Sequence, residues 1–221
     1  DRAFDSGIRH IATFMSASST HNRKNLNRTQ KESLDNLRIV FEAAKAENME
    51  IRAYLSTVFG CPYEGNVRPK AVLELTKQLL DLGADEIALG DTTGMANPHQ
   101  VRSVLSLLSD SGISMSKIAL HLHDTRGTAL VNAYAGYLSG VRTFDGSAGG
   151  LGGCPYAPGA SGNAATEDLI QMFDSMDIET GVHLDKAAQV GVFLEQLLQR
   201  PLPGRYYKFH QGKIQRNKNS A

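Results

Sequence analysis

The stretch Lys117–Asp124, KIALHLHD, decides the fold. Its apolar first half reads as a buried strand. Its second half places two histidines on one side, because side chains along a strand alternate with period two. Polar chemistry therefore gathers where this strand ends. The same signature recurs outward along the chain. Apolar runs at 9–16, 51–59, 85–90 and 141–147 also read as strands, and each meets polar residues at its far end. These are Ser16 and Ser18, Ser56 and Thr57, Asp91 to Thr93, and Asp145 with Ser147. A weaker strand is expected near 161–165.

Between these runs lie amphipathic helical patterns. One carries Leu34, Leu37, Phe41 and Ala44 behind a capping box of Thr29 and Glu32. Another opens at Pro69 and stops at Gly83, and a third follows Asn97 and Pro98. Further helices are expected from Thr128 to Gly140, over 166–176 and over 184–199. Repeated strand–helix units imply a parallel sheet, either open and doubly wound or closed into a barrel. An open sheet collects its ligand at one switch point, with a glycine loop after the first strand. No such loop follows the first strand here. Polar residues at nearly every strand end are the habit of an α/β fold of the TIM-barrel type, (β/α)8. A closed barrel needs eight strands, so about two βα units are expected ahead of Asp1. The domain reading is a partial barrel over 1–203, followed by a basic C-terminal tail over 204–221 that is expected to be solvated and partly disordered.

Composition narrows the class. The 221 residues are 41% hydrophobic and 21% charged, with 23 basic side chains against 23 acidic ones. No overall field favours nucleic acid, and no apolar run approaches the ~18 residues of a membrane span. The two cysteines, Cys61 and Cys154, fit neither a disulfide scaffold nor a zinc site, and point to a reducing, cytoplasmic setting. A mitochondrial address is the alternative if a transit peptide precedes this sequence.

Several residues can carry chemistry. His121 and His123, on one side of a strand end, can chelate one cation; the spacing equally suits two histidines hydrogen-bonded to their neighbours. Asn163, between Gly162 and Ala164, offers a hard neutral oxygen for Mg2+ or Mn2+, or is a turn asparagine. Asp91 and Thr92 at a strand end read either as site residues or as a turn cap. Ser56 stands at another strand end. Arg23 and Lys24, on an expected loop after the first strand, could meet phosphate or form a solvated charge cluster. Cys154 lies in the stretch 149–168, GGLGGCPYAPGASGNAATED, where flanking glycines would let a thiol move in and out of a site. Cys61 reads as structural.

Five segments, FMSASSTHNRKN, AYLSTVFGCPYEG, LGDTTGMANP, ALHLHDTRGTAL and FDGSAGGLGGCPYAPGASGNAATEDL, together resemble the 3-hydroxy-3-methylglutaryl-CoA lyase family, most closely its bacterial form. The resemblance implies a TIM barrel, a homodimer and a divalent cation, Mg2+ or Mn2+, held by His121, His123 and Asn163 with an aspartate from an earlier strand. It implies cleavage of an acyl-CoA substrate to acetyl-CoA and acetoacetate, as in leucine breakdown. Cys154 and His121 would move protons, Asp91 would join the catalytic set, and Thr92, Ser56, Arg23 and Lys24 would meet substrate. Glu167 would support the site from behind. The family's Arg-Asp pair is not matched by Asp1 and Arg2, so the enolate-stabilising arginine and one ligand are expected outside this sequence. Alone, the chain is expected to aggregate or turn over negligibly. Rival readings are a related Claisen-type synthase of the isopropylmalate or homocitrate kind, which would not need Cys154, and a catalytically dead interaction partner.

Overall fold

The computed structural model describes residues 5–153 and 162–219. Five parallel strands form one sheet: β1 (His10–Ser16), β2 (Glu50–Ser56), β3 (Glu86–Asp91), β4 (Ile118–Leu122) and β5 (Thr143–Asp145). They lie side by side in chain order, with no reversal. A doubly wound sheet reverses its order at a switch point, whereas the wall of a (β/α) barrel does not. The sheet is an arc of such a wall. The expected weak strand is reduced to isolated bridges, His123 to Asn163 and Ser147 to Ala165, which carry 162–165 past the ends of β4 and β5.

The connecting helices are α1 (Ser19–Leu26), α2 (Gln30–Ala46), α3 (Pro69–Asp81), α4 (Pro98–Asp110) and α5 (Ala129–Leu138), followed by α6 (Thr166–Asp174), α7 (Leu184–Leu198) and α8 (Tyr206–Asn219). Their ends follow local chemistry. Thr29 caps α2 by accepting from the Glu32 backbone N–H, while Glu32 accepts from that of Thr29. Asn97 and Gln100 cap α4 in the same reciprocal way. Gly136 lets α5 come down onto the sheet, since a Cβ there would collide with Leu120.

Register separates the two faces of the sheet. Met15 pairs with Leu55, Leu55 with Leu89, and Leu89 with Leu120. All four are fully buried and face the helices. The next rung runs Ser16, Ser56, Gly90, His121, Asp145 and faces the barrel interior. Gly90 fits there because a Cβ would press on the Ser56 backbone at 3.3 Å.

Two expectations need correction. The segment holding Arg23 and Lys24 is not a loop but helix α1, capped by Ser18. The basic tail is not patternless: residues 206–219 form α8, with Tyr207 fully buried and His210 nearly so. Asp168 accepts hydrogen bonds from the backbone N–H groups of Arg205 and Tyr206 at the start of α8, and the Tyr207 hydroxyl donates to the Leu202 carbonyl at 2.9 Å. A carboxylate at a helix start satisfies N–H groups that have no partner within the helix.

Candidate active site

The interior rung opens onto a cavity of about 380 Å3, lined among others by Phe14, Tyr54, Ser56, Thr92, His121 and His123. His121 and His123 leave the end of β4 on the same side, with ring centroids 5.3 Å apart. Asn163 sits opposite His123 across a bridge, so residues 40 positions apart in sequence meet at one spot.

His123 is buried, and burial, with the charge of His121 beside it, pulls its pKa down to about 4. It is therefore a neutral imidazole at physiological pH. Its Nδ1 is buried and has no hydrogen-bond partner among the described residues. Asn163 donates from Nδ2 to the Leu151 carbonyl at 2.8 Å, which leaves its Oδ1 as the atom it can offer a ligand. Two imidazoles, one with an orphaned nitrogen, and an amide oxygen are a donor set that fits a divalent cation. Among the described residues no group of three or more His, Cys, Asp or Glu is gathered in this way.

Four residues that sequence reading did not single out as site residues form a network that ends on His121. Its Nδ1 lies 3.1 Å from Asp145 Oδ2, and the Tyr54 hydroxyl donates to the same oxygen at 3.0 Å. Arg52 bridges Asp145 at 2.8 Å and Glu86 at 2.6 Å. Burial pushes the Asp145 carboxyl up, but His121, Arg52 and Tyr54 outweigh it and hold the pKa below the usual carboxylate value. Tyr54 is pushed up to about 12, by burial first and by Asp145 next, so it remains a donor. The signal was present in β2: Arg52, Tyr54 and Ser56 alternate with Ile51, Ala53 and Leu55, the pattern of a strand with one polar face.

The other expected residues divide. Ser56 lines the cavity and shares a hydrogen bond with Ser16 at 2.8 Å; Ser16 also pairs with His21 Nδ1 at 2.7 Å. Thr92 lines it too, its hydroxyl accepting from the Thr57 N–H. Asp91 is in register with Leu122 and lies on the helix side of the wall. Its Oδ1 accepts from the N–H groups of Met95 and Ala96, the turn-cap alternative, and burial raises its pKa to about 6. Arg23 and Lys24 are exposed on α1, and the Lys24 ammonium stands 4.8 Å from the Tyr63 ring centroid.

Glu167 is fully buried and accepts the Gly149 N–H with both oxygens, at 2.9 and 3.0 Å. It anchors the start of the glycine-rich stretch. Cys154 lies outside the described residues. Two described glycines that flank it in sequence meet: Gly162, at φ +85°, leaves no room for a Cβ against the Gly152 carbonyl. Gly152, at φ +111°, likewise abuts the Asn163 amide. Only glycine tolerates both the close approach and the positive φ. Cys61, read as structural, is buried and donates from Sγ to the Ser18 hydroxyl.

Residues 1–193 match the family described as HMGL-like. The chain is 51% identical over 205 residues to hydroxymethylglutaryl-CoA lyase YngG of Bacillus subtilis, covering 93% of this chain and 68% of that one. A crystal structure of Bacillus subtilis HMG-CoA lyase superposes with a TM-score of 0.92 at 50% identity, over 95% of this chain and 70% of that one. An HMG-CoA lyase from Acinetobacter baumannii, solved with coenzyme A and 3-methylmalate, gives 0.88 at 40% identity, over 94% and 67%. Mitochondrial and bacterial curated relatives at 40–44% identity are spanned over only 61–62% of their length.

Proposed function

This chain belongs to the hydroxymethylglutaryl-CoA lyase family, and from that premise we propose that the protein cleaves 3-hydroxy-3-methylglutaryl-CoA to acetyl-CoA and acetoacetate. The observation that carries the proposal is the meeting of His121 and His123, which line the interior cavity, with Asn163, which bridges to His123 and stands nine residues after Cys154 in sequence. In this reading those three residues would hold a divalent cation, Mg2+ or Mn2+, which when bound makes a substrate hydroxyl more acidic. The neutral state of His123 and its orphaned Nδ1 suit that task.

The chain's own residues supply the rest. A base takes the hydroxyl proton, the oxygen becomes the ketone of acetoacetate as the carbon–carbon bond breaks, and the electron pair leaves as an enolate of acetyl-CoA that must take up a proton. The Cys154 thiol gives that proton, and His121 takes part in proton transfer. The glycines on either side of Cys154 allow the loop to close over the substrate. Glu167 holds the Gly149 backbone, and Gly162, next to Asn163, packs against the Gly152 backbone. The hydroxyls of Ser56 and Thr92 border the space an acyl group would fill. The reading carries with it a cytoplasmic setting, in keeping with the two cysteines, and a homodimer, as the family resemblance implies. No described helix is long and apolar enough to cross a membrane.

The test is acetyl-CoA release from 3-hydroxy-3-methylglutaryl-CoA by the complete protein, with Mg2+ and then with chelator, beside the Cys154→Ala variant. Chelator-sensitive cleavage that falls by about 10^2–10^4 in the variant is expected. Cleavage indifferent to Cys154 would keep the lyase and discard the loop's role. A folded protein that binds Mg2+ and cleaves nothing would sink the substrate assignment.

A further inference from the structure

Asp145 receives more contacts than a structural carboxylate at the end of a three-residue strand needs. It stands directly across from His121 in the β4–β5 register, 24 residues away in sequence. Its Oδ1 is ion-paired with Arg52 Nη2, and Arg52 Nε meets Glu86, so the carboxylate stands at the end of a Glu86–Arg52–Asp145 chain. Its Oδ2 is shared by the Tyr54 hydroxyl and His121 Nδ1. An ionised carboxylate only accepts hydrogen bonds. Tyr54 can supply a proton to that oxygen, and the second contact requires one on Nδ1 as well. The His121 ring is further confined by the edge of the Tyr54 ring, 5.7 Å away at 83°.

From this arrangement we propose that Asp145 is the positioning residue of the site, holding His121 in the Nδ1–H form so that Nε2 carries the free lone pair. Imidazoles that ligate metal or move protons commonly need their second nitrogen committed in this way, because the commitment fixes both ring orientation and tautomer. Here the commitment is built into sheet register. Arg52 keeps Asp145 from rotating toward solvent, and Tyr54 occupies the remaining lone pair on the shared oxygen. Asp145 touches no reacting atom in this account; it acts through His121. The inference rests on the proposed role of His121, but its readout does not depend on turnover.

The experiment uses the complete protein labelled with 15N-histidine and free of metal. Long-range 1H–15N spectra above the imidazole pKa report which nitrogen carries the proton, and the His121→Gln variant identifies the signal. Wild type is expected to show Nδ1–H at His121. In Asp145→Asn the amide presents its own N–H to the ring, and the signal is expected to move to Nε2–H. Mn2+ binding to the same samples, followed by EPR, is expected to weaken by about 10- to 100-fold in Asp145→Asn, with partial recovery in Asp145→Glu. An Nε2–H ring in the wild type would overturn the proposal, as would a tautomer and Mn2+ affinity unchanged in Asp145→Asn. Should that variant fail to fold, the wild-type spectrum decides alone. An Nδ1–H ring in a protein that does not cleave the proposed substrate would sink the substrate assignment and leave this inference standing.

Discussion

Two rungs of the sheet, one residue apart, are built for opposite purposes. Met15, Leu55, Leu89 and Leu120 form an apolar rung that is closed to water and packed under the helices. Ser16, Ser56, Gly90, His121 and Asp145 form the next rung, which lines the cavity at Ser56, Gly90 and His121 and is joined by side-chain hydrogen bonds between Ser16 and Ser56 and between His121 and Asp145. The pleat sends adjacent residues to opposite faces, so one strand supplies both the core and the chemistry. Two carboxylates show how much the face decides. Asp145, on the interior side, is held ionised by Arg52, Tyr54 and His121. Asp91, on the helix side, is raised to about 6 by burial.

The sharpest way to break the comparison is Leu120→Ala. Leu120 is fully buried at the β4 end of the apolar rung, where Gly136 has let α5 descend onto it. A cavity there cannot collapse easily, so a loss of about 2–5 kcal/mol in urea unfolding is expected. Turnover per folded molecule should be nearly unchanged, because the side chain faces away from the site. A variant of normal stability and lost activity would show that the faces are not separable.

Asp91→Asn tests the polar residue on the apolar side. The folded pKa, near 6, lies above the ordinary carboxylate value of 3.8. A group whose folded pKa is raised contributes stability that is full below about pH 4 and is lost as pH rises through 6. The asparagine lacks this titration, yet its Oδ1 can still accept from Met95 and Ala96. Wild-type stability relative to the variant should therefore fall by up to about 3 kcal/mol between pH 4 and pH 7. Parallel pH profiles for the two proteins would mean that Asp91 is ionised without cost, through a partner such as Arg126, whose charge lowers its pKa.

How much of this was legible in sequence follows the same division. The strands, the capping box of α2, the Asn97–Pro98 start of α4 and the βα alternation depend on residues close in sequence, and KIALHLHD alone placed both histidines on one side. The Arg52–Asp145–His121 chain was not seen, because it depends on register between strands 24 to 93 residues apart. Yet the alternation in β2 could have flagged Arg52 and Tyr54. Asp91 was read as site or cap because both occur at strand ends; only the register, which pairs it with Leu122, shows which face it takes. Helix α8 was missed because its buried positions among the described side chains are Tyr207 and His210, polar-tipped residues among charges, and its anchor Asp168 lies on α6. Arg23 and Lys24 were set on a loop because seven polar residues in a row hide a short helix whose cap, Ser18, stands before them.

The smallest expected effect sharpens the interior rung. Tyr54→Phe keeps the ring that packs edge-on against His121 and removes only the hydroxyl that shares Asp145 Oδ2. Removing one partner of a buried charge is severe when the charge is left unpaired. Asp145 is not left so, since Arg52 still bridges one oxygen and His121 the other. The loss should be about 1 kcal/mol in urea unfolding, with an unchanged slope against denaturant. A loss as large as that of Leu120→Ala would mean that the Tyr54 hydroxyl, and not Arg52, fixes Asp145. The interior rung would then be held by the second oxygen, and the ion pair to Glu86 would be an accompaniment of the network without being its anchor.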